Sequence, residues 1–462
     1  GYNNHYELKS ATDRESAGLV APRKGMATRE DAFELKNGVN GDDGYKINFE
    51  MVIGTAADQT AIAPGNLVKS WKKENRAYFH YKMDTPMVNF YSVVSAKYEV
   101  AKDSWMPAAD SLGVKTPVDL EIYYHKGHDY NVKRMFTAMK KSFNYYSSNF
   151  SPYQYQQMRI MEFPRYKSFA QSFPSAVPFS ESLGFVLDID DEKDVDMAFY
   201  ITAHELAHQW WGLQVVASNV QGRLFILETL SQYAALMVLK EHYGKEKVMQ
   251  FIEGELDTYL NNRKNSVEVP LSLVEKQSQI YYNKGAVNMY VLQEIIGEKQ
   301  VNLALKRFIK DWNAFDTDFN KERYATSKDL LKYIYEVTPD SLKAAVYELL
   351  ETVTTYDASI KKADVLQNEN EFSVHLQIEL KKWHGNKTVN DVKIFPNTKV
   401  ELAMYGLDPA GKEVLLETKR VQINATITDM ILKSNIKPTK VVLDSNRLLL
   451  DINRANNSEK TD

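Results

Sequence analysis

His204, Glu205 and His208 stand in the order His-Glu-x-x-His inside the stretch ITAHELAHQWWG, residues 201–212. The apolar residues around them, Ile201, Ala203, Leu206, Ala207, Trp210 and Trp211, keep a helical pattern with no Pro or Gly before Gly212. That spacing predicts a helix. On a helix, positions i and i+4 share a face one turn apart, so both imidazoles reach one tetrahedral ion while Glu205 projects beside them toward a water. The chemistry proposed is that of a zinc hydrolase. Chance is the competing explanation: with nine His in 462 residues, such a string turns up in roughly one chain in a hundred. Two His are also too few ligands, so a third must come from another element. The best candidate is Glu228 in LFILETLSQYAALMVL, because a carboxylate in so apolar a run is costly unless something neutralises it. A buried Glu paired with an Arg or a helix N-terminus is the alternative reading.

The elements that must position these residues follow from periodicity. From Tyr45 to about Asp103, short alternating runs (YKINFEMVIGTA, NRAYFHYKM, NFYSVVSAKYEV) are broken by Gly, Pro and polar turns, as in an antiparallel β domain ending near Pro117. After one more strand, VDLEIYYH, residues 130–150 carry Val132, Met135, Phe136, Met139 and Phe143 at helical spacing. Residues 158–163 and 184–189 read as buried strands around a Pro-rich loop. From Asp196 to about Val353 nearly everything is helical: 201–212, then 227–243 closed by Gly244, 246–260, 283–296, 298–312, and 328–351 broken at Pro339. Beyond Tyr356 alternation returns, as in a C-terminal β-sandwich. The fold class expected is α+β multidomain, with a mainly helical domain (118–353) between an N-terminal antiparallel β domain (1–117) and a β-sandwich (354–462).

Composition narrows the partners. The net charge of −4, from 57 basic and 61 acidic residues, gives no reason to expect nucleic acid. The absence of Cys removes disulfides, a thiol nucleophile and thiolate ligands, leaving His and carboxylate to hold any metal. No run approaches the roughly 18 apolar residues that span a bilayer. The opening Gly1 and the polar segment ending near Arg29 read as the start of a processed or excised piece.

Taken together, HELAHQWWG, FILETLSQY and Tyr282-Asn283-Lys284-Gly285 resemble the gluzincin zinc aminopeptidases, the aminopeptidase N and leukotriene-epoxide hydrolase family. The resemblance covers all but roughly the first 40 residues, including the order of parts, and the N-terminal β domain is shorter than the family's full one. It implies a thermolysin-like catalytic domain and one Zn²⁺ held by His204, His208 and Glu228. It implies Glu205 as general base and Tyr282 as the tyrosine that stabilises the transition state, with Tyr281 as the competing register. The loop that grips the substrate's free amino group falls on Pro178-Phe179-Ser180-Glu181-Ser182, where only Glu181 matches the family's Gly-Ala-Met-Glu-Asn.

Two departures stand out. Nineteen residues separate His208 from Glu228, one more than the family's usual spacing, which the loop 218–223 is expected to absorb. Ser231, three after Glu228, is similar to the Glu-x-x-Ser of thermolysin-like proteases. The altered amino-group loop bears on exopeptidase specificity more than on zinc chemistry. The Asn-Val-Gln-Gly run and the Pro-Phe-Ser-Glu loop resemble bacterial aminopeptidase domains carried on permease-like membrane proteins. That second resemblance implies tethering to a membrane segment outside this chain, at the extracytoplasmic face.

The activity implied is removal of N-terminal residues from peptides. The alternatives are a zinc endopeptidase, or a catalytically silent peptide-binding scaffold of the same fold. His125 and His128, in YYHKGHDY, have a possible metal spacing but bracket a Lys-Gly turn and are expected on a solvated loop. Trp210 and Trp211 are expected in packing. Oligomeric state, side-chain preference and natural substrate leave no mark in the sequence.

Overall fold

The structure is a computed structural model, and it describes residues 8, 10–19, 25–41, 46–107, 116–263, 268–316, 322–368, 371–385, 392–394 and 396–461. The chain is a multidomain α+β fold with β-rich N- and C-terminal parts around a helical middle. In the first part, strands Glu50–Ala56, Arg76–Lys82 and Asn66–Lys73 form an antiparallel sheet in that order. The last two are joined at Glu74 and Asn75, both with positive φ, the backbone that a tight two-residue hairpin requires. The Lys-rich stretch around this turn is exposed on an edge strand, where charge discourages further pairing.

The middle part begins with a four-stranded sheet in the order Ala176–Ser180, Gln157–Phe163, Val118–Tyr124, Glu99–Trp105. The first three strands pair in parallel and the last pairs antiparallel. Glu99–Trp105, which lies before the expected boundary at 117, is therefore bonded into the sheet of the helical part. The strand expected at 184–189 is not there. The strand is Ala176–Ser180, set by pairing of Arg159 with Ala176 through Phe163 with Ser180, and it ends in a short turn at Glu181–Leu183.

Packed on this sheet, helix Val132–Asn149 lies against Met197–Ala207, which in turn lies against Leu230–Tyr243. Further helices follow at Lys245–Asn262, Gly285–Ile296, Glu298–Trp312, Ser327–Val337 and Lys343–Glu351. The break around Pro339 falls where Pro cannot continue a helix. One continuous core contains the fully buried Phe199, Trp210, Trp211, Tyr233 and Phe308. The two Trp are packing residues, as expected.

The last part is two β-sheets, one centred on Glu371–His384 and the other on Thr398–Leu407. They face each other across a separate core that includes Leu376, Ile378, Val400 and Leu402. No helix among the described residues is long and apolar enough to cross a membrane.

Candidate active site

The motif helix is shorter than its apolar pattern. It runs Met197–Ala207, and His208 is its C-cap residue. Its start is held by Asp196, whose side chain accepts from the Phe199 N–H at 2.9 Å and from Arg134 at 2.9 Å. At the other end the last turn tightens, with Gln209 and Trp210 N–H bonded to Leu206 and Ala207 C=O at 3.0 and 2.9 Å. Gly212, at φ +128°, lets the chain turn back so that Val215 N–H reaches Trp210 C=O. His208 nonetheless stays one turn from His204, and their rings meet edge to face with centroids 4.8 Å apart.

Glu228 sits in a π turn, Phe225–Thr229, that leads into helix Leu230–Tyr243. A π turn holds one more residue than an α turn. The turn therefore offers room for one further residue beside the ligand itself.

The three ligand atoms form a nearly equilateral triangle. His204 Nε2 and His208 Nε2 are 3.2 Å apart, and Glu228 Oε2 is 3.4 Å from each. Ligands about 2.0–2.1 Å from a tetrahedral ion lie about 3.3 Å from one another. Glu228 Oε2 is buried yet lacks a geometric hydrogen-bond partner, which is costly without a cation. The residues present therefore fit a tetrahedral metal ion. His208 Nδ1 faces Trp211 C=O and Ser231 Oγ, each at 3.1 Å, and these contacts aim Nε2 at the site.

The buried groups of this cluster perturb one another. Burial pushes the Glu228 carboxyl up, but His208 and His204 outweigh it and hold the group far below the usual carboxylate range. Burial pushes His208 down, and Glu228 reverses that and lifts it to about 9. Glu205 is raised, burial prevailing over the pull of His208 and His204.

Gln209 carries no signal in the sequence beyond adjacency to the motif, yet it builds one wall. Fully buried, it donates to Ser172 Oγ at 2.7 Å and Phe173 C=O at 2.9 Å, and accepts from Ser175 N–H at 3.0 Å. The loop so pinned brings the Ser172 backbone close to the Glu205 carboxylate.

Tyr282 lies in a second π turn, Gln279–Lys284, with its ring centroid 6.0 Å from that of His204 and its hydroxyl near the Glu228 carboxylate. Burial and the Glu228 charge push its phenol far above the ordinary value, so it keeps its proton as a donor. The neighbouring Tyr281 is used differently, its C=O accepting from Thr229 Oγ1 at 2.6 Å. Lys284, only 1 % exposed, ties the turn to Glu268 at 2.7 Å, and Arg263 binds the same carboxylate.

Glu181 follows the edge strand Ala176–Ser180. Its carboxylate meets Arg165 Nε at 3.2 Å and lies 3.9 Å from His128 Nδ1. His128 is not on a free loop as expected: while Lys126 and Gly127 are exposed, its Nδ1 is 2.5 Å from the buried Glu162.

Comparison with known families matches residues 134–353 to the Peptidase family M1 domain. Family M1, the aminopeptidase N family of gluzincins, is zinc-dependent in general, and the described residues contain two close His/Glu clusters, His204–His208–Glu228 and His128–Glu162–Glu181.

Among curated relatives, "Probable aminopeptidase 1" of Sulfurisphaera tokodaii is 29% identical over 173 residues, 35% of this chain and 22% of its own. "Endoplasmic reticulum aminopeptidase 2" of Homo sapiens is 22% identical over 282 residues, 58% of this chain and 28% of its own. "Tricorn protease-interacting factor F2" of Thermoplasma volcanium is 23% identical over 224 residues, 44% of this chain and 28% of its own. The matched region thus spans about a quarter of the length of these relatives. Among solved structures, Legionella pneumophila aminopeptidase A in complex with aspartic acid shares the fold. It gives a TM-score of 0.59 at 15% identity, over 92% of this chain and 48% of that one.

Proposed function

We propose that this chain is the peptidase unit of a zinc aminopeptidase, in which His204, His208 and Glu228 hold one Zn²⁺. The observation that carries the reading is the ligand triangle, with edges of 3.2, 3.4 and 3.4 Å around a buried carboxylate oxygen lacking a partner. Zinc, when bound, supplies Lewis acidity that polarises the scissile carbonyl and acidifies a water. Glu205, raised in pKa and adjacent to both His, takes the proton of the attacking water and hands it to the leaving amine. The Tyr282 hydroxyl, held protonated, donates to the oxyanion that develops on the carbonyl. Glu181 binds the ammonium of the substrate's first residue, which registers the scissile bond one residue from the free end.

A second reading, endopeptidase, is favoured by the Arg165 guanidinium on Glu181, where that ammonium would sit. One experiment separates the two. The purified chain is assayed on an amino-acid anilide and on its N-acetyl form, with and without chelator and restored zinc. Chelator-reversible hydrolysis of the free-amino substrate alone is the expected result. Equal hydrolysis of both would make the enzyme an endopeptidase. Zinc in the protein without any turnover would make it a scaffold.

A further inference from the structure

The second His/Glu group does not have the shape of the first. His128 Nδ1 is 2.5 Å from Glu162 Oε1 but 3.9 Å from Glu181 Oε2, whereas ligands of one tetrahedral ion lie about 3.3 Å apart. To share a metal, the nearer pair would have to part by about 0.8 Å and the farther pair close by about 0.6 Å. The arrangement is instead a clamp.

Glu162, at 0 % exposure, has both carboxylate oxygens engaged: Oε1 by the His128 ring and Oε2 by the His125 N–H at 2.5 Å. Its own C=O accepts from Tyr98 Oη at 2.6 Å, and the His125 ring stacks on Tyr98. A buried carboxylate so held is costly to displace, so it fixes the His128 ring. That ring faces one oxygen of Glu181, while Arg165, 70 % exposed, faces the other. Glu181 therefore has a fixed neighbour on one side and an exposed, solvent-screened countercharge on the other.

Building on the aminopeptidase reading, we propose that His128, clamped by Glu162, is a positioning residue that orients Glu181 toward the substrate's α-ammonium, and that Arg165 is the countercharge this ammonium displaces. Selection for a free amino terminus then rests on Glu181 together with His128 and Arg165 from two other segments.

The test compares kcat and KM on free-amino and N-acetyl anilides for wild type, Glu181→Gln, His128→Leu, His128→Asn and Arg165→Gln, with metal content measured for each. His128→Leu is expected to raise KM for the free-amino substrate about tenfold, the loss of one well-aligned charged contact, with kcat little changed and zinc retained. His128→Asn, whose amide nitrogen falls near the position of Nδ1, restores most of the loss. Arg165→Gln lowers KM for the same substrate, and this exposed position provides the reading if His128→Leu does not fold.

An unchanged KM in both His128→Leu and Arg165→Gln would overturn the proposal. A second metal equivalent that His128→Leu loses would do the same. If wild type discriminates and Glu181→Gln abolishes discrimination while the His128 and Arg165 variants keep it, this proposal falls alone. If wild type hydrolyses both anilides equally, the aminopeptidase reading falls and takes this one with it.

Discussion

Gly285→Ala tests whether the two π turns set the geometry between metal ligand and tyrosine. Gly285 opens its helix at φ −59° and ψ −48°, a backbone that suits any residue, and Ala is favoured over Gly there by about 1 kcal/mol. Yet a Cβ at that position would lie 2.6 Å from Thr229 Oγ1 and 2.8 Å from its Cγ2. Ordinary contact needs about 3.5 Å, so the turns must separate by roughly 0.7–0.9 Å. Thr229 adjoins Glu228 and Gly285 lies three residues after Tyr282, so the separation falls between the groups that act together. Overpacking costs about 1–3 kcal/mol and the helix gain offsets part of it, leaving a change in stability of at most about 2 kcal/mol. Misplacement by about 1 Å costs about 10²-fold in rate, equivalent to about 2.7 kcal/mol. The loss in activity should therefore exceed the loss in stability, about 2.7 against at most about 2 kcal/mol.

Thr229→Ala should rescue it, because the nearest remaining Thr229 atom, Cβ, would be 3.2 Å away. The rescue is incomplete, since the bond to Tyr281 C=O is lost at about 1 kcal/mol. Measuring kcat/KM and chemical unfolding for both single variants and the double variant gives the coupling. Wild-type kcat/KM in Gly285→Ala, or no recovery in the double variant, would refute the reasoning.

Glu205→Gln should lower turnover by about 10²–10⁴-fold while metal analysis still finds zinc, whereas Glu228→Ala should lose the zinc; near-normal activity in the first would sink the mechanism. Tyr282→Phe should reduce kcat about 10²-fold with KM nearly constant, and a loss confined to KM would assign the hydroxyl to ground-state binding. Glu255 on helix Lys245–Asn262 is raised from 4.5 to about 7, burial outweighing its bond from Asn283. The folded chain thus keeps a proton that the unfolded chain has lost, so this group's contribution falls as pH rises from about 4.5 to about 7. The fall is on the order of 3 kcal/mol. Denaturant unfolding of wild type and Glu255→Gln at pH 5 and pH 8 checks this: wild type should lose stability relative to the variant at the higher pH, and a pH-independent difference would count against it.

Much of the fold could be read from the chain because periodicity is local. The alternating runs became sheets, and helix Glu298–Trp312 falls on its expected residues. Misplacements came where pairing overrides pattern. The apolar run through Trp210 and Trp211 reads as helix, but tertiary bonds to Val215 and Ser151 take it into a turn after Ala207. The segment 184–189 reads as strand, yet parallel pairing with Gln157–Phe163 selects Ala176–Ser180.

The sequence alone determined which residues could make a metal site, because His-Glu-x-x-His fixes its spacing by helical geometry, and a lone carboxylate in an apolar run demands a counter-ion. Only the tertiary structure decided how these parts meet. The edges of 3.2–3.4 Å, the π turn around Glu228, the contact of Thr229 with Gly285, and the Gln209 wall near Glu205 depend on how segments far apart in the chain pack. The clamp of Glu162 on His128 beside Glu181 is the same kind of fact. Such contacts are set by packing between elements, and residue type and spacing along one chain do not encode distance across it.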